Sequence, residues 1–186
     1  VSLTVSSDHT DGALFVYLES VAADGTVEYL TEGVLRLLHR RTGAAPYLMD
    51  GPYHPCTASL AAPMTPGFAE LVDLAPFPIA AVVPAGNGLR IAVAGHDAGT
   101  FARIPASGDP ILTFHLGGHH ASSLELLETL CEGAELEAER VVPQLAPPCA
   151  DAELRATAGD DVEGGDGLGH QRGVAIGVAR DERRAP

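Results

Sequence analysis

The chain has 186 residues, of which 25 are acidic and 11 basic, for a net charge of −14. That balance repels phosphate backbones and anionic lipid, so nucleic acid and membrane surfaces are not expected partners. Every basic residue is arginine, which removes any lysine nucleophile or Schiff base, and Cys56, Cys131 and Cys149 form no C-x-x-C pair, so neither a disulfide framework nor a zinc site is suggested.

The chain opens at Val1 inside an alternating pattern, as a fragment cut in mid-domain would, and shows no basic and apolar leader. The densest apolar run, residues 79–83 between Pro78 and Pro84, is strand-sized rather than membrane-spanning. A soluble, cytoplasmic protein with free thiols and no cofactor is the expectation. Every Phe and Tyr lies between Phe15 and Phe114 and there is no Trp, so residues beyond Leu127 have little with which to build a core. The expected division is a folded domain over 1–127 and an acidic tail over 128–186, each net −7.

From the start, Val1, Leu3 and Val5 alternate with Ser2, Thr4 and Ser6, as in a half-buried strand. Residues 13–20 are apolar at successive positions, which predicts a strand covered on both faces. Asp24-Gly25 then supplies a tight reversal into residues 27–30. Residues 33–39 read as strand or short helix, since Glu32 and Arg36 sit at helical spacing. Residues 40–66 hold Gly43, Gly51 and five prolines and predict a long irregular excursion, the kind of loop on which function often sits.

Strand-like content returns at 69–74, 79–83, 89–94, 111–116 and 123–126. Leu89, Ile91 and Val93 share one face. Ala92 and Ala94 on the other are small enough for close approach of a second layer. Seven or eight short strands with turns between them predict an all-β antiparallel sandwich, with a jelly roll as the expected topology. In the tail, Leu126, Leu130 and Ala134 at helical spacing predict a short amphipathic helix within 128–140, and the Gly- and Asp-rich stretch beyond Pro143 reads as linker.

Chemistry is sparse. No Gly-x-Ser-x-Gly elbow is present to project a nucleophile from a strand-to-helix turn. Gly95-His96-Asp97-Ala98-Gly99 has the elbow's outline with Asp at the nucleophile position, but no helix follows it, so a loop capping a strand end is expected. His115, His119 and His120 are the densest histidine group; Gly117-Gly118 places them in a turn rather than on a helix face, which argues against a metal site. Gly165-Asp166-Gly167-Leu168-Gly169 lacks the flanking strand and helix of a dinucleotide loop. Glu19, Asp24, Glu28 and Glu32 read as a solvated rim.

Several stretches carry a family resemblance in the right order. They are Ser7-Asp8-His9-Thr10-Asp11-Gly12-Ala13-Leu14-Phe15-Val16-Tyr17-Leu18-Glu19 with Asp24-Gly25, then Thr31-Glu32-Gly33-Val34-Leu35-Arg36 with His39-Arg40, and Pro52-Tyr53-His54-Pro55 leading to Pro66-Gly67. The run from Pro84 to Phe101, Gly108-Asp109-Pro110-Ile111-Leu112-Thr113-Phe114 and Ser123-Leu124-Glu125-Leu126 complete the set. Together they resemble the C-terminal β-sandwich, or jelly roll, of the X-Pro dipeptidyl-peptidase and cocaine-esterase-type serine hydrolases. The resemblance covers Val1 to about Leu126 without the first strand or strands of that sandwich. Asn87-Gly88 departs from a His-Arg type pair, and Leu127 replaces an expected proline.

The resemblance implies strand for residues 33–39. It also implies that the catalytic Ser, Asp and His belong to a preceding α/β-hydrolase domain and that this chain holds no catalytic, cofactor or metal residue. The parent would cleave an ester, an amide or an X-Pro linkage through an acyl-enzyme. The sandwich would pack on the hydrolase and cap domains or in a homo-oligomer, with Tyr53 and His54 on one loop and His96, Asp97 and Phe101 on another as expected contacts. Two other classes stay open: a free carbohydrate-binding jelly roll, disfavoured by the lack of Trp, and a small hydrolase or metal enzyme built on His96, Asp97 and the 115–120 histidines. The change of composition after Leu127 also fits a shifted reading frame or a misjoined gene end.

Overall fold

The computed structural model describes residues 1–49, 51–116 and 122–128, and the backbone of three further strands. The strands are β1 (Ser2–Ser7), β2 (Ala13–Val21), β3 (Val27–Arg36), β4 (Glu70–Asp73), β5 (Gly88–Ala94), β6 (Ile111–His115), β7 (Leu124–Glu128), β8 (Glu137–Val141), β9 (Glu153–Thr157) and β10 (Val174–Val178). They form a sheet in the order β4-β1-β6-β9, a second in the order β10-β5-β2-β3, and a β7-β8 pair, all antiparallel. The chain crosses between the two large sheets after β1, β3, β4, β5 and β9, and among these strands only β2 and β3 are joined as a hairpin. This is the all-β sandwich that the alternating patterns predict.

The core forms where the two sheets face each other. Leu3 and Val5 of β1, Val72 of β4 and Leu112 and Phe114 of β6 meet Leu14, Val16 and Leu18 of β2, Leu35 of β3 and Ile91 and Val93 of β5. Strand periodicity puts the intervening residues on the outer faces. At the hairpin tip Gly25 adopts φ +86°, and the Asp24 carboxylate accepts the Thr26 amide at 2.9 Å, so Asp24-Gly25 makes the turn expected of it.

Residues 40–66 are irregular, as predicted, but anchored. Gly43 N–H donates to the Tyr53 carbonyl at 2.9 Å, Met64 N–H to Thr10 at 2.7 Å, and the Met64 side chain enters the core. Elsewhere three expectations are corrected. Residues 33–39 are strand only to Arg36, after which Leu37–His39 is a 3-10 turn. Residues 79–83 are no strand: Pro76, Pro78 and Pro84 on either side lack the N–H with which a ladder would enter or leave the segment, and contact with the edge of β3 is made before it, at Phe77, which donates to the Glu32 carbonyl and accepts the Thr31 hydroxyl, each at 2.8 Å. In the stretch predicted helical, Glu137–Val141 is extended and pairs with β7, an instance of tertiary pairing outweighing local propensity; Leu130 and Ala134 lie outside the described residues. Past Pro143, where a linker is expected, β9 and β10 extend β6 and β5, whose edges supply the ladder partners that the local sequence does not.

Candidate functional site

The outer face of the β5-β2-β3 region is built in cross-strand rows. Phe15 pairs with Val34 and Ala94, Tyr17 with Glu32 and Ala92, Glu19 with Tyr29 and Arg90, and Val21 with Val27 and Gly88. Partners in one row point to the same side, so a face that would ordinarily be wet carries Phe, Tyr, Val and Ala. At one end this face is covered. Phe15, with Ala13 and Ala94, forms a second small core against Tyr17 and Ile104, and the Phe101 ring sits 5.1 Å from the Phe15 ring in a tilted arrangement. The apolar run of β2 and the small residues of β5 are thus explained: both sides of this sheet pack.

The loop that covers it follows β5. Asp97 holds its own turn, its carbonyl accepting Phe101 N–H at 2.9 Å, while its carboxylate accepts the Tyr17 hydroxyl at 3.1 Å. Burial, reinforced by that hydrogen bond and by the Asp97 charge, pushes the Tyr17 phenol well above its ordinary range. Burial and then Glu32 likewise raise Tyr29. In the middle of the face Arg90 donates to Glu19 at 2.6 Å, so the charges there are paired. The Gly95–Gly99 motif is therefore a strand-capping turn, and His96 is half-buried within it.

Tyr53 and His54 stand elsewhere, beside the opposite sheet. The His54 ring places Nε2 2.9 Å from the Asp73 carbonyl at the end of β4, and Nδ1 3.1 Å from the His39 carbonyl. Tyr53 bridges Gly43 through its backbone and meets Tyr47 edge to face, ring centroids 6.0 Å apart. Nearby, Arg40 binds both Glu70 carboxylate oxygens at 2.6 to 2.9 Å and also donates to the carbonyls of Leu37 and Ala62. A depression of about 340 Å³ lies between Arg40, Leu60 and β4. Of the two arginines that line it, Arg40 and Arg41, Arg40 is engaged within the fold. The structure therefore does not unite the five candidate residues: Asp97 and Phe101 work on the face of one sheet, Tyr53 and His54 on the flank of the other.

One pair has the outline of a nucleophile and base, Ser6 Oγ and His115 Nε2 at 3.1 Å. Both lie on strands whose backbones are paired in the β1-β6 ladder, so the local amides are not gathered toward a reacting oxygen. His119 and His120 lie outside the described residues, as do Cys131, Cys149 and the 165–169 glycine motif. Among the described residues no group of three or more metal-ligating side chains is found, and no helix is long and apolar enough to cross a membrane. Sequence reasoning missed Tyr17, Tyr29 and Val34 as members of a face, although the two-sided apolar run of β2 was its signal.

Residues 1–125 match the family model described as the X-Pro dipeptidyl-peptidase C-terminal non-catalytic domain. Two curated proteins, one from Mycobacterium bovis and one from Mycobacterium tuberculosis, each provisionally named a serine esterase, are 38% identical to this chain over 128 residues. The aligned region is 68% of this chain and 20% of each relative, so the chain spans about a fifth of their length. No solved structure matches significantly.

Proposed function

Since the chain belongs to the family of X-Pro dipeptidyl-peptidase C-terminal non-catalytic domains, we propose that it serves an acyl hydrolase of the cocaine-esterase-like type as its accessory sandwich. In this reading residues 1–127 pack on the α/β-hydrolase and cap regions of the parent and stabilise them, 128–186 form an appended tail, and the whole works in the cytoplasm. The name of the relatives favours an ester over an X-Pro amide as the parent's substrate. The observation that carries the reading is the family match over residues 1–125, which hold β1 to β6, in a sequence with no nucleophile elbow.

Roles for the candidate residues follow from their surroundings. Phe101 and Asp97 keep the 96–101 loop, with His96 in it, folded against β2 and would present it to the catalytic region. Tyr53 and His54 would shape the 40–55 loop from within, because the His54 ring faces backbone carbonyls on both sides. The test is an assay with activated acyl esters and X-Pro arylamides, on the chain alone and on the chain mixed with the catalytic region of the parent. Silence alone, with stabilisation or gain of turnover on mixing, is the expected result. Turnover by the chain alone that His96→Ala abolishes would overturn it.

A further inference from the structure

We infer that the sandwich is anchored on the catalytic region of the same polypeptide by the tip of its 43–53 loop, Ala44 to Leu48, with the exposed 77–82 run beside it. This rests on the accessory-domain reading and adds to it which surface makes the contact. Ala44, Ala45, Pro46, Tyr47 and Leu48 are consecutive and all exposed, Tyr47 by 62% and Leu48 entirely. Single apolar side chains at a surface are ordinary, but an unbroken exposed run marks a contact surface. The tip also stands on a fixed base. Gly43 and Tyr53 close the loop as a bridge, and the Tyr47 ring meets Tyr53 edge to face. Beside them the His54 ring faces the Asp73 carbonyl at the end of β4 and the His39 carbonyl. At the other foot Gly51, with φ +90°, lies so close to Ala75 that a Cβ on it would come 2.7 Å from the Ala75 Cβ. A loop held at both feet loses little freedom on docking.

Ala75 leads on to Phe77, 62% exposed, and to Val82, 86% exposed, so the two apolar runs leave the fold from neighbouring points where the chain passes from β4 to the edge of β3. Residues 42–49 and 74–89 contain no charged residue. Arg41 at the foot of the loop and Glu32 beside Phe77 stand at the border, where the polar rim of an interface belongs. Two observations choose the occupant. The relatives devote about four fifths of their length to sequence outside the aligned region, so a much larger body is tethered to this domain in proteins of that kind. A second copy fits less well, because each chain carries a net charge of −14 and like charge opposes association.

The test is hydroxyl-radical footprinting, read residue by residue by mass spectrometry, on the complete hydrolase polypeptide and on the 186-residue chain. Tyr47 and Leu48 are compared with Phe68 and Ile111, which are also exposed but stand at the far end of β1, beside Ser7. Oxidation of Tyr47 and Leu48 is expected to be at least fivefold slower in the complete polypeptide than in the chain, with Phe68 and Ile111 changed less than twofold. Within the complete polypeptide, Leu48→Asp should speed oxidation of Tyr47 at least threefold and leave Phe68 and Ile111 as they were; an unchanged Tyr47 would remove Leu48 as the anchor. Protection at Phe68 and Ile111 but not at Tyr47 and Leu48 would overturn the assignment of the surface while leaving accessory docking in place. Equal oxidation at every position of the domain in both proteins would overturn docking and the assignment together. Protection already present in the chain and lost on dilution would identify a second copy as the occupant and overturn the inference.

Discussion

The outer faces of the two sheets are both made by antiparallel strands, shorter in β1, β4 and β6 than in β2, β3 and β5, and they differ in what they expose and in what holds them. Outside β1 and β6 the rows are Ser, Thr and His, joined by hydrogen bonds such as Ser6 to His115 at 3.1 Å. Outside β2 and β5 the rows hold Phe, Tyr, Val and Ala about one Glu19–Arg90 pair, with a small core of their own under Phe101. A sandwich needs only its inner faces to be apolar. The second apolar layer therefore exceeds what the fold itself requires.

The difference is measurable as stability. Phe15→Ala removes a ring that is 3% exposed and leaves Phe101 without its partner; it is expected to lower unfolding free energy in urea by about 3 kcal/mol. Thr113→Ala on the opposite outer face should stay within about 0.5 kcal/mol. Equal effects would erase the contrast between the faces. The polar sheet has its own strong point at the margin, where the Arg40 side chain is 8% exposed and binds Glu70 together with three backbone carbonyls. Arg40→Ala takes this partner from Glu70 and from the Ala62 and Pro63 carbonyls, while the Leu37 carbonyl keeps the backbone N–H of residue 40, and is expected to cost about 2 kcal/mol, less than an entirely buried ion pair because Glu70 is partly in water.

Next in size is Tyr17. Tyr17→Phe removes the hydroxyl that links β2 to Asp97 across the aromatic face and should cost about 1 kcal/mol at neutral pH. Its pH dependence tests the same contact. The folded phenol titrates above the ordinary value of 10.0, so between the two values the unfolded chain binds fewer protons than the folded one. Stability from this group is complete below pH 10 and falls as pH rises beyond it. A urea series from pH 8 upward should show wild-type stability declining past pH 10 more steeply than that of Tyr17→Phe. Identical slopes would remove Tyr17 as the buried acid of this face.

What the sequence discloses follows how local the cause is. The β2-β3 hairpin was legible because Asp24-Gly25 sits between two apolar runs, and β1 because Leu3 and Val5 alternate with serine and threonine. The two-layer packing of β2 was legible in principle from a strand without a polar side. The residues that make it a face were not, because Tyr17 meets Asp97 80 positions away and Phe15 meets Phe101 across β5. Residues 79–83 misled because β-branched content and ladder capacity are different properties, and three flanking prolines withdraw donors that hydrophobicity does not count. Glu32 and Arg36 misled in the same manner: at helical spacing they suggest a pair, but on a strand Arg36 reaches Asp11 instead. The family resemblance, carried by motifs spread over most of the domain, reached further than any of these local readings.

The smallest expected effects come from two carboxylates, one beside each sheet, and they separate local from long-range support. Asp8 stands past the end of β1; burial acts to raise it, but hydrogen bonds from His9 and from the Ile111 amide at 2.8 Å hold it below the ordinary carboxylate value. Asp24 is lowered by the Thr26 amide and hydroxyl at the hairpin tip. For both, the folded group releases its proton more readily than the unfolded one, so stability is present above about pH 4 and is lost as pH falls through the folded values. Asp8 ties β1 to β6, which are far apart in sequence, whereas Asp24 ties only its own turn. Asp8→Ala should therefore cost about 0.5 kcal/mol after solvent screening and should flatten the acid limb of the stability profile. Asp24→Ala should shift that limb less and mainly loosen the tip, seen as faster amide exchange at Thr26. If Asp24→Ala proved the more damaging of the two, the hairpin rather than the β1-β6 pairing would be the weaker part of the sandwich under acid.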